Sequence, residues 1–440
     1  MGTGRRLTVL LIALALLGVP AAALRADCAG ASCRSSAAPG TPAPFCALPA
    51  DLRAMITAGT YEGRSPDALG VAGSTPVTSD VGSGVQVTWP SEEPVRAMSV
   101  PLLFLGRDVR TGELSSTLGL DQIAPTLEPL LGLVRPHPEV RDGTAIPGVA
   151  IPRRPTPLVV MIVWKWVGMR DIPEAVTPWF ARVSSRPRST SEPAADGTGI
   201  AVGVATAGSL PLDPTAVEST IGTGGLPSDH GITGTWVRNA RGRPVRAFGA
   251  GAPTPVIASL GDDLDRATGG ASKIGLIRTA VGDVGLTGDA WYRTGSIRDQ
   301  TVHTGPNPTA QVSRFLREGW GADPTPDLLA VPLAGGASRD DRVTAAIVEE
   351  ILRTVPDATI VVTATGGIGA DDAIEATVPP GVTVASRGDA AGGFFVDRNA
   401  ASPSTAQDVV EAMRAQTGPA GALLYTDAFA SYAVRFGRYC

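Results

Sequence analysis

Histidine is scarce in this chain. There are three in 440 residues, at positions 137, 230 and 303, and imidazoles so few and so scattered cannot build a paired zinc site. Only four cysteines occur, and just one pair, Cys28 and Cys33, is close in sequence, so no second close pair completes a tetrahedral metal site. Beyond the N-terminus no run of Lys or Arg appears, and the net charge is −5 with signs interspersed. That balance excludes nucleic acid or an anionic membrane as the main partner. No second apolar run matches the length of the first. The chain also has no G-x-S-x-G turn, and neither GTGGLP nor TATGG has the glycine spacing of a nucleotide cradle.

What is present begins with a targeting signal. MGTGRR is followed by the apolar LTVLLIALALLGV and then by small residues in PAAALRA, the pattern of a secretory signal peptide over 1–26. Cleavage fits after Ala23 or Ala26, whereas the residues just before Cys28 lack the small side chains that lipoprotein processing requires. If it is not cleaved, the apolar run is near the lower limit for spanning a bilayer and is the only membrane contact indicated. The expected location is secreted or cell envelope. Export gives the cysteines meaning, since disulfides persist in oxidising compartments. Of the three possible connectivities, the expected one pairs Cys28 with Cys33 and Cys46 with Cys440, the second bridge joining the ends of the folded body.

A hydrophobic content of 43% suits a globular core. Residues 27–49 are rich in Ala, Pro, Ser and Gly and read as a linker. DLRAMITA predicts a helix from 50 to 58, and VPLLFLG (100–106) predicts a buried strand. DQIAPTLEPLLGL (121–133) predicts a helix with Asp121 as its cap. Proline density rises from 134 to 157 and marks a linker. PLVVMIVW (157–164) is apolar at nearly every position, as in a parallel strand covered on both faces. Further strands are predicted at 200–206, 273–278, 327–332 and 358–363, with helices at 255–268, 309–318, 339–354 and 404–416 and a β-rich stretch at 371–398. Alternating strands and helices predict an α/β fold, a doubly wound, mostly parallel sheet flanked by helices. In such sheets the chemistry lies beyond the carboxyl ends of strands, here in the loops after Trp164, Thr206, Pro332 and Thr363.

Several fragments together resemble the alkaline phosphatase superfamily of metal-dependent phosphate and sulfate ester hydrolases. TIGTGGLPSDHGITG is similar to its segment following the nucleophile, and VPLLFLG with LDQIAPTLEPLLGL is similar to its late strand and I-A-P-T-L helix. PLVVMIVWKWVG resembles its first strand, while PDLLAVPLAGG and TIVVTATGG resemble the strands whose ends carry metal ligands. The resemblance spans about Asp51 to the C-terminus. Because the late elements come first here, it implies a circular permutation, as in an actinobacterial branch of exported proteins. Residues 50–150 would then complete the sheet of a main body at 151–440.

The resemblance implies zinc ions and a Ser or Thr nucleophile, and the matching positions depart from both. Lys165 stands where the family has an Asp ligand. It either fills the space of a cation or points to solvent. Pro214 falls on the nucleophile position, leaving Thr215 as the candidate, with Asp213 and Glu218 as nearby carboxylates; the alternative is a helix start at Asp213 and Pro214. After DLLAVP, Asp340 and Asp341 arrive only as a helix begins, where they complement its N-terminus. After TIVVT, the expected Asp-His is Ala364 and Thr365. His230, in P-S-D-H-G, corresponds to a family position that supports a turn and joins Lys165, Asp213 and Glu218 as a candidate binding residue. Trp164 and Trp166 would share one face of a strand, either in the core or as a stacking platform. Two readings follow. One is a catalytically degenerate pseudoenzyme, without a cofactor, that binds or scaffolds with the old cleft. The other is an active hydrolase of phosphate, phosphodiester or sulfate esters with a rearranged site and zinc or another divalent metal. The sequence names no partner.

Overall fold

The computed structural model describes residues 50–66, 98–114, 118–150, 154–185, 198–288, 291–292, 300–367 and Phe395, together with strand backbones at 68–72, 85–88, 373–376, 393–394 and 421–425. The signal segment, the linker at 27–49, all four cysteines and the helix expected at 404–416 lie outside the described residues. In chain order the strands are β1 (Ala68–Ala72), β2 (Val85–Thr88), β3 (Ser99–Gly106), β4 (Gly112–Glu113), β5 (Leu118–Gly119), β6 (Leu158–Trp164), β7 (Gly199–Thr206) and β8 (Trp236–Arg238). They continue as β9 (Pro244–Arg246), β10 (Ile274–Arg278), β11 (Gln300–Thr304), β12 (Asp327–Leu333), β13 (Thr359–Ala364), β14 (Ala373–Ala376), β15 (Gly393–Phe394) and β16 (Gly421–Tyr425).

The main sheet has the order β11-β10-β12-β6-β13-β3-β7-β4, with β5 also paired to β7. Its strands run parallel except β3, which is antiparallel to both β13 and β7. The continuous apolar runs found in the sequence become its centre. Every residue of β6, β12 and β13 is buried, as expected for strands covered on both faces. This is the α/β class that the alternating pattern predicts. Because β3 lies between β13 and β7, chain from before residue 150 and chain from after it share one hydrophobic core.

Most predicted elements lie within a few residues of their observed bounds, and two differ for clear reasons. The expected helix at 121–133 shortens to a 3-10 turn, Leu120–Gln122, followed by Ile123–Leu127. Pro129 has no N–H to donate, so the ladder of helical hydrogen bonds is interrupted there although Glu128 keeps helical dihedrals. Asp121 does not cap this helix; the Gly119 amide instead donates to Gln122 Oε1 at 3.0 Å. The helix expected from 255 begins at Leu260, because Ser259 caps it by accepting from the Asp262 amide.

The proline-rich stretch after 134 is no loose linker. Arg135 is buried and donates to Asp263 Oδ2 at 2.6 Å and to the carbonyls of Thr223 and Ala258, both at 2.8 Å. Arg141 also donates to the Thr223 carbonyl, at 3.1 Å. Two guanidinium groups thus hold the C-terminal end of the helix Pro214–Thr223, where a positive charge complements the helix dipole. All ten residues of that helix are buried.

Candidate functional site

β-sheet register brings three of the inspected loops side by side. Trp164, the last residue of β6, pairs with Leu333 of β12 and Ala364 of β13. The next residue, Lys165, donates its amide to the Leu333 carbonyl at 2.7 Å, and Thr365 donates its amide to the Trp164 carbonyl at 3.0 Å. Lys165 therefore leaves the sheet at its carboxyl edge with its backbone fixed.

Its side chain does not point to solvent. Lys165 is only 6% exposed, and its Nζ lies 2.5 Å from Asp283 Oδ1 and 3.4 Å from Glu218 Oε1. Burial lowers the pKa of Lys165, but the charges of Glu218 and Asp283 more than offset this, so the net shift is upward. Asp283 is saturated: its second oxygen accepts from the Thr279 amide at 2.6 Å, the Thr279 hydroxyl at 2.8 Å and the Ala280 amide at 2.8 Å. Glu218 is not. Neither of its oxygens has a hydrogen-bond partner among the described residues, the ammonium being in ion-pair range only. Burial, and then the neighbouring Asp283, push its pKa well up, with Lys165 offsetting only part. Its surroundings thus disfavour the charged form.

Thr215 sits in the first turn of the same helix. Asp213 caps it, with Oδ1 accepting from the Thr215 amide at 2.8 Å, so the helix start expected at Asp213 and Pro214 is present. The same oxygen accepts from the Thr235 hydroxyl at 3.1 Å, and Thr235 Oγ1 lies 3.2 Å from Thr215 Oγ1. Burial raises the pKa of Asp213, with hydrogen bonds from Thr235 and Thr215 and the charge of Lys165 pulling it back. The helix packs closely on the turn Val281–Leu286. A Cβ at Gly282 would stand 2.2 Å from Thr215 Oγ1, and one at Gly285 would stand 2.4 Å from Ser219 Oγ. Glycine at these two places lets Asp283 reach Lys165.

Above these groups opens a cavity of about 240 Å³, lined by Lys165, Trp166, Thr215, Thr235, Arg246 and Thr279 among others. Arg246 is exposed and its guanidinium stacks over Trp236 at 5.0 Å. Trp166 is 39% exposed with φ at 61°, a left-handed conformation that is costly for a bulky side chain. Its amide donates to Thr365 Oγ1 at 3.0 Å, which holds it there. The two tryptophans thus do not share a face. Trp164 is fully buried, packs edge to face on Phe180 and donates Nε1–H to Thr344 Oγ1 at 2.8 Å.

The remaining predicted residues lie elsewhere. His230 is buried and does not line the cavity: the Ile232 amide donates to its Nδ1 at 3.1 Å, and its Nε2 lies 3.2 Å from Thr220 Oγ1. Burial, then Arg64, pull its pKa down to about 3, which favours the neutral imidazole. His137 is exposed beside Glu139, and the His303 side chain lies outside the described residues. Asp340 accepts from the Gly335 amide and, chiefly through burial, has its pKa raised to about 6. Asp341 turns inward and accepts the amides of Trp179 and Phe180, at 3.0 and 2.8 Å, so it serves the start of the helix Pro178–Ser184 rather than its own.

The sequence reasoning missed Asp283, Thr235, Thr279 and Arg246. Asp283 had a signal, since T-A-V-G-D directly follows the predicted strand KIGLIR and so places a carboxylate at a strand's carboxyl end. The implied zinc does not fit these residues. Among the described residues no three His, Cys, Asp or Glu side chains cluster closely enough to hold a metal ion, and Asp283 is already bound to the Lys165 ammonium. Comparison with protein-family models, curated proteins and solved structures finds no match.

Proposed function

We propose that the chain is an exported, circularly permuted, alkaline-phosphatase-like protein that has lost its catalysis and uses the cavity above Lys165 to bind a small polar ligand. The observation that carries this reading is the Lys165–Asp283 ion pair. A tethered ammonium occupies the carboxylate at the head of β6, β10 and β12, where a metal-dependent hydrolase needs an open cationic centre. Among the described residues no imidazole contacts Thr215, and its hydroxyl reaches the Asp213 carboxyl only through Thr235.

One observation favours the second reading, an ester hydrolase with a rearranged site. Thr215, Thr235 and Asp213 form a chain of hydroxyl, hydroxyl and carboxyl at 3.2 and 3.1 Å, a route by which a proton can leave Thr215. A screen of phosphomonoesters, phosphodiesters and sulfate esters, run with metal analysis of the purified protein, separates the two. The first reading expects no turnover above background. Stoichiometric zinc with turnover lost in Thr215→Ala would establish the second.

A further inference from the structure

The direction of the hydrogen bonds around the cavity defines what it can take. A threonine hydroxyl has one proton and two lone pairs. Thr279 gives its proton to Asp283 Oδ2 at 2.8 Å, and Thr235 gives its proton to Asp213 Oδ1 at 3.1 Å. With the Thr235 proton committed, the 3.2 Å contact between Thr235 and Thr215 makes Thr215 the donor. All three protons are committed within the protein, so lone pairs are what these hydroxyls can still offer a ligand. Such a wall repels a phosphate or sulfate oxygen, which is itself an acceptor, and welcomes a ligand that donates.

Donors are present on the same wall. Arg246 lines the cavity with N–H groups that only donate. Lys165 carries three ammonium protons, but its charge is balanced by Asp283 at 2.5 Å, so it adds a donor without a net positive field. The exposed ring of Trp166 completes the lining, held at a strained φ of 61° by the Thr365 hydroxyl. Fixing a bulky, partly exposed side chain in that conformation costs stability, which points to a use at the surface. At about 240 Å³, the space falls below the ~300–1,000 Å³ of pockets for drug-sized ligands.

Resting on the binding reading above, we propose that the cavity binds a single neutral sugar unit, whose hydroxyls donate to the three threonines and accept from Arg246 and Lys165 while its C–H face lies on Trp166. A sugar alternates donor and acceptor in each hydroxyl and carries an apolar face, which matches this mixed lining. A simple anion matches only the two basic residues.

The test is isothermal titration of the folded protein with glucose, mannose, galactose, arabinose and N-acetylglucosamine, and in parallel with inorganic phosphate and sulfate. Saturable binding of at least one sugar, and none of either anion, is expected. Trp166→Ala, at an exposed position, should weaken that sugar roughly tenfold, and Thr279→Val should weaken it without creating affinity for phosphate. Absence of binding by every sugar, binding of phosphate or sulfate in their place, or an unchanged affinity in Trp166→Ala would each overturn the proposal. Ester turnover would sink the preceding reading yet leave these sugar titrations intact, so the two can fail separately.

Discussion

The helix Pro214–Thr223 has a buried charged cluster at each end, and the two are built to different standards. At its C-terminal end Arg135 meets Asp263, Glu128 and two carbonyls, while the other Asp263 oxygen accepts the Tyr292 hydroxyl at 2.5 Å. At its N-terminal end the Lys165–Asp283 pair is tight, but Asp213 Oδ2 and both Glu218 oxygens have no hydrogen-bond partner among the described residues. Fully paired buried polar groups specify structure, and buried groups left without partners cost stability. Only the N-terminal cluster borders the cavity. The contrast separates a clamp from a site.

Substitutions at the two ends can break or sharpen that contrast. The largest effect is expected at the clamp. Arg135→Ala removes the closest cation of buried Asp263, leaving it Arg141 at 3.4 Å and the Tyr292 hydroxyl, and takes a donor from the Thr223 and Ala258 carbonyls. It should lower stability by roughly 3–5 kcal/mol in urea unfolding; a loss below about 1 kcal/mol would remove the distinction. Next comes Lys165→Met, which leaves Asp283 without its cation. Because three donors remain on the other Asp283 oxygen, the loss should be toward the lower end, about 3 kcal/mol.

The third prediction concerns pH and the imidazole beside the helix. His230 has a folded pKa of about 3 against an ordinary 6.5, so between these values the unfolded chain binds a proton that the folded chain refuses. Its contribution is full above pH 6.5 and is lost as pH falls toward 3. Asp262 and Asp340 act oppositely. Their folded pKa values of about 6 lie above 3.8, so their contribution is present below pH 3.8 and is lost as pH rises through 6. His230→Gln should therefore flatten the acid-side fall in urea-derived stability, leaving the opposite slope of the carboxyls more visible. An unchanged slope would mean that the imidazole is charged in the fold.

The smallest effect is expected from Glu218→Gln. Burial and the neighbouring Asp283 disfavour the charged form of this carboxyl, so a neutral amide of the same shape should change stability by no more than about 1 kcal/mol. A loss of several kcal/mol would show that Glu218 is an ionised partner of Lys165, and the two ends of the helix would then be alike.

Much of this was readable in the sequence, and the limits have physical causes. Apolar runs such as PLVVMIVW and DLLAVP locate the central strands because burial on both faces leaves no polar position; the end of the first places Lys165, and the loop after the strand 199–206 places Thr215. Pairing is not readable in the same way. Whether Lys165 faces solvent or a carboxylate depends on Asp283, 118 residues away, and on Gly282 and Gly285 letting that turn approach the helix. Thr235 and Arg246 belong to short segments with no periodic signal. The proline-rich connection read only as a linker because its order comes from Arg135 and Arg141 binding residues more than 80 positions distant.

The most direct test of the central claim is a comparison of ester hydrolysis by the wild-type chain and by Thr215→Ala, each assayed with and without added zinc. A binding protein with a tethered ammonium in place of a metal predicts four indistinguishable background rates. A zinc-stimulated rate in the wild type that disappears in Thr215→Ala would contradict it.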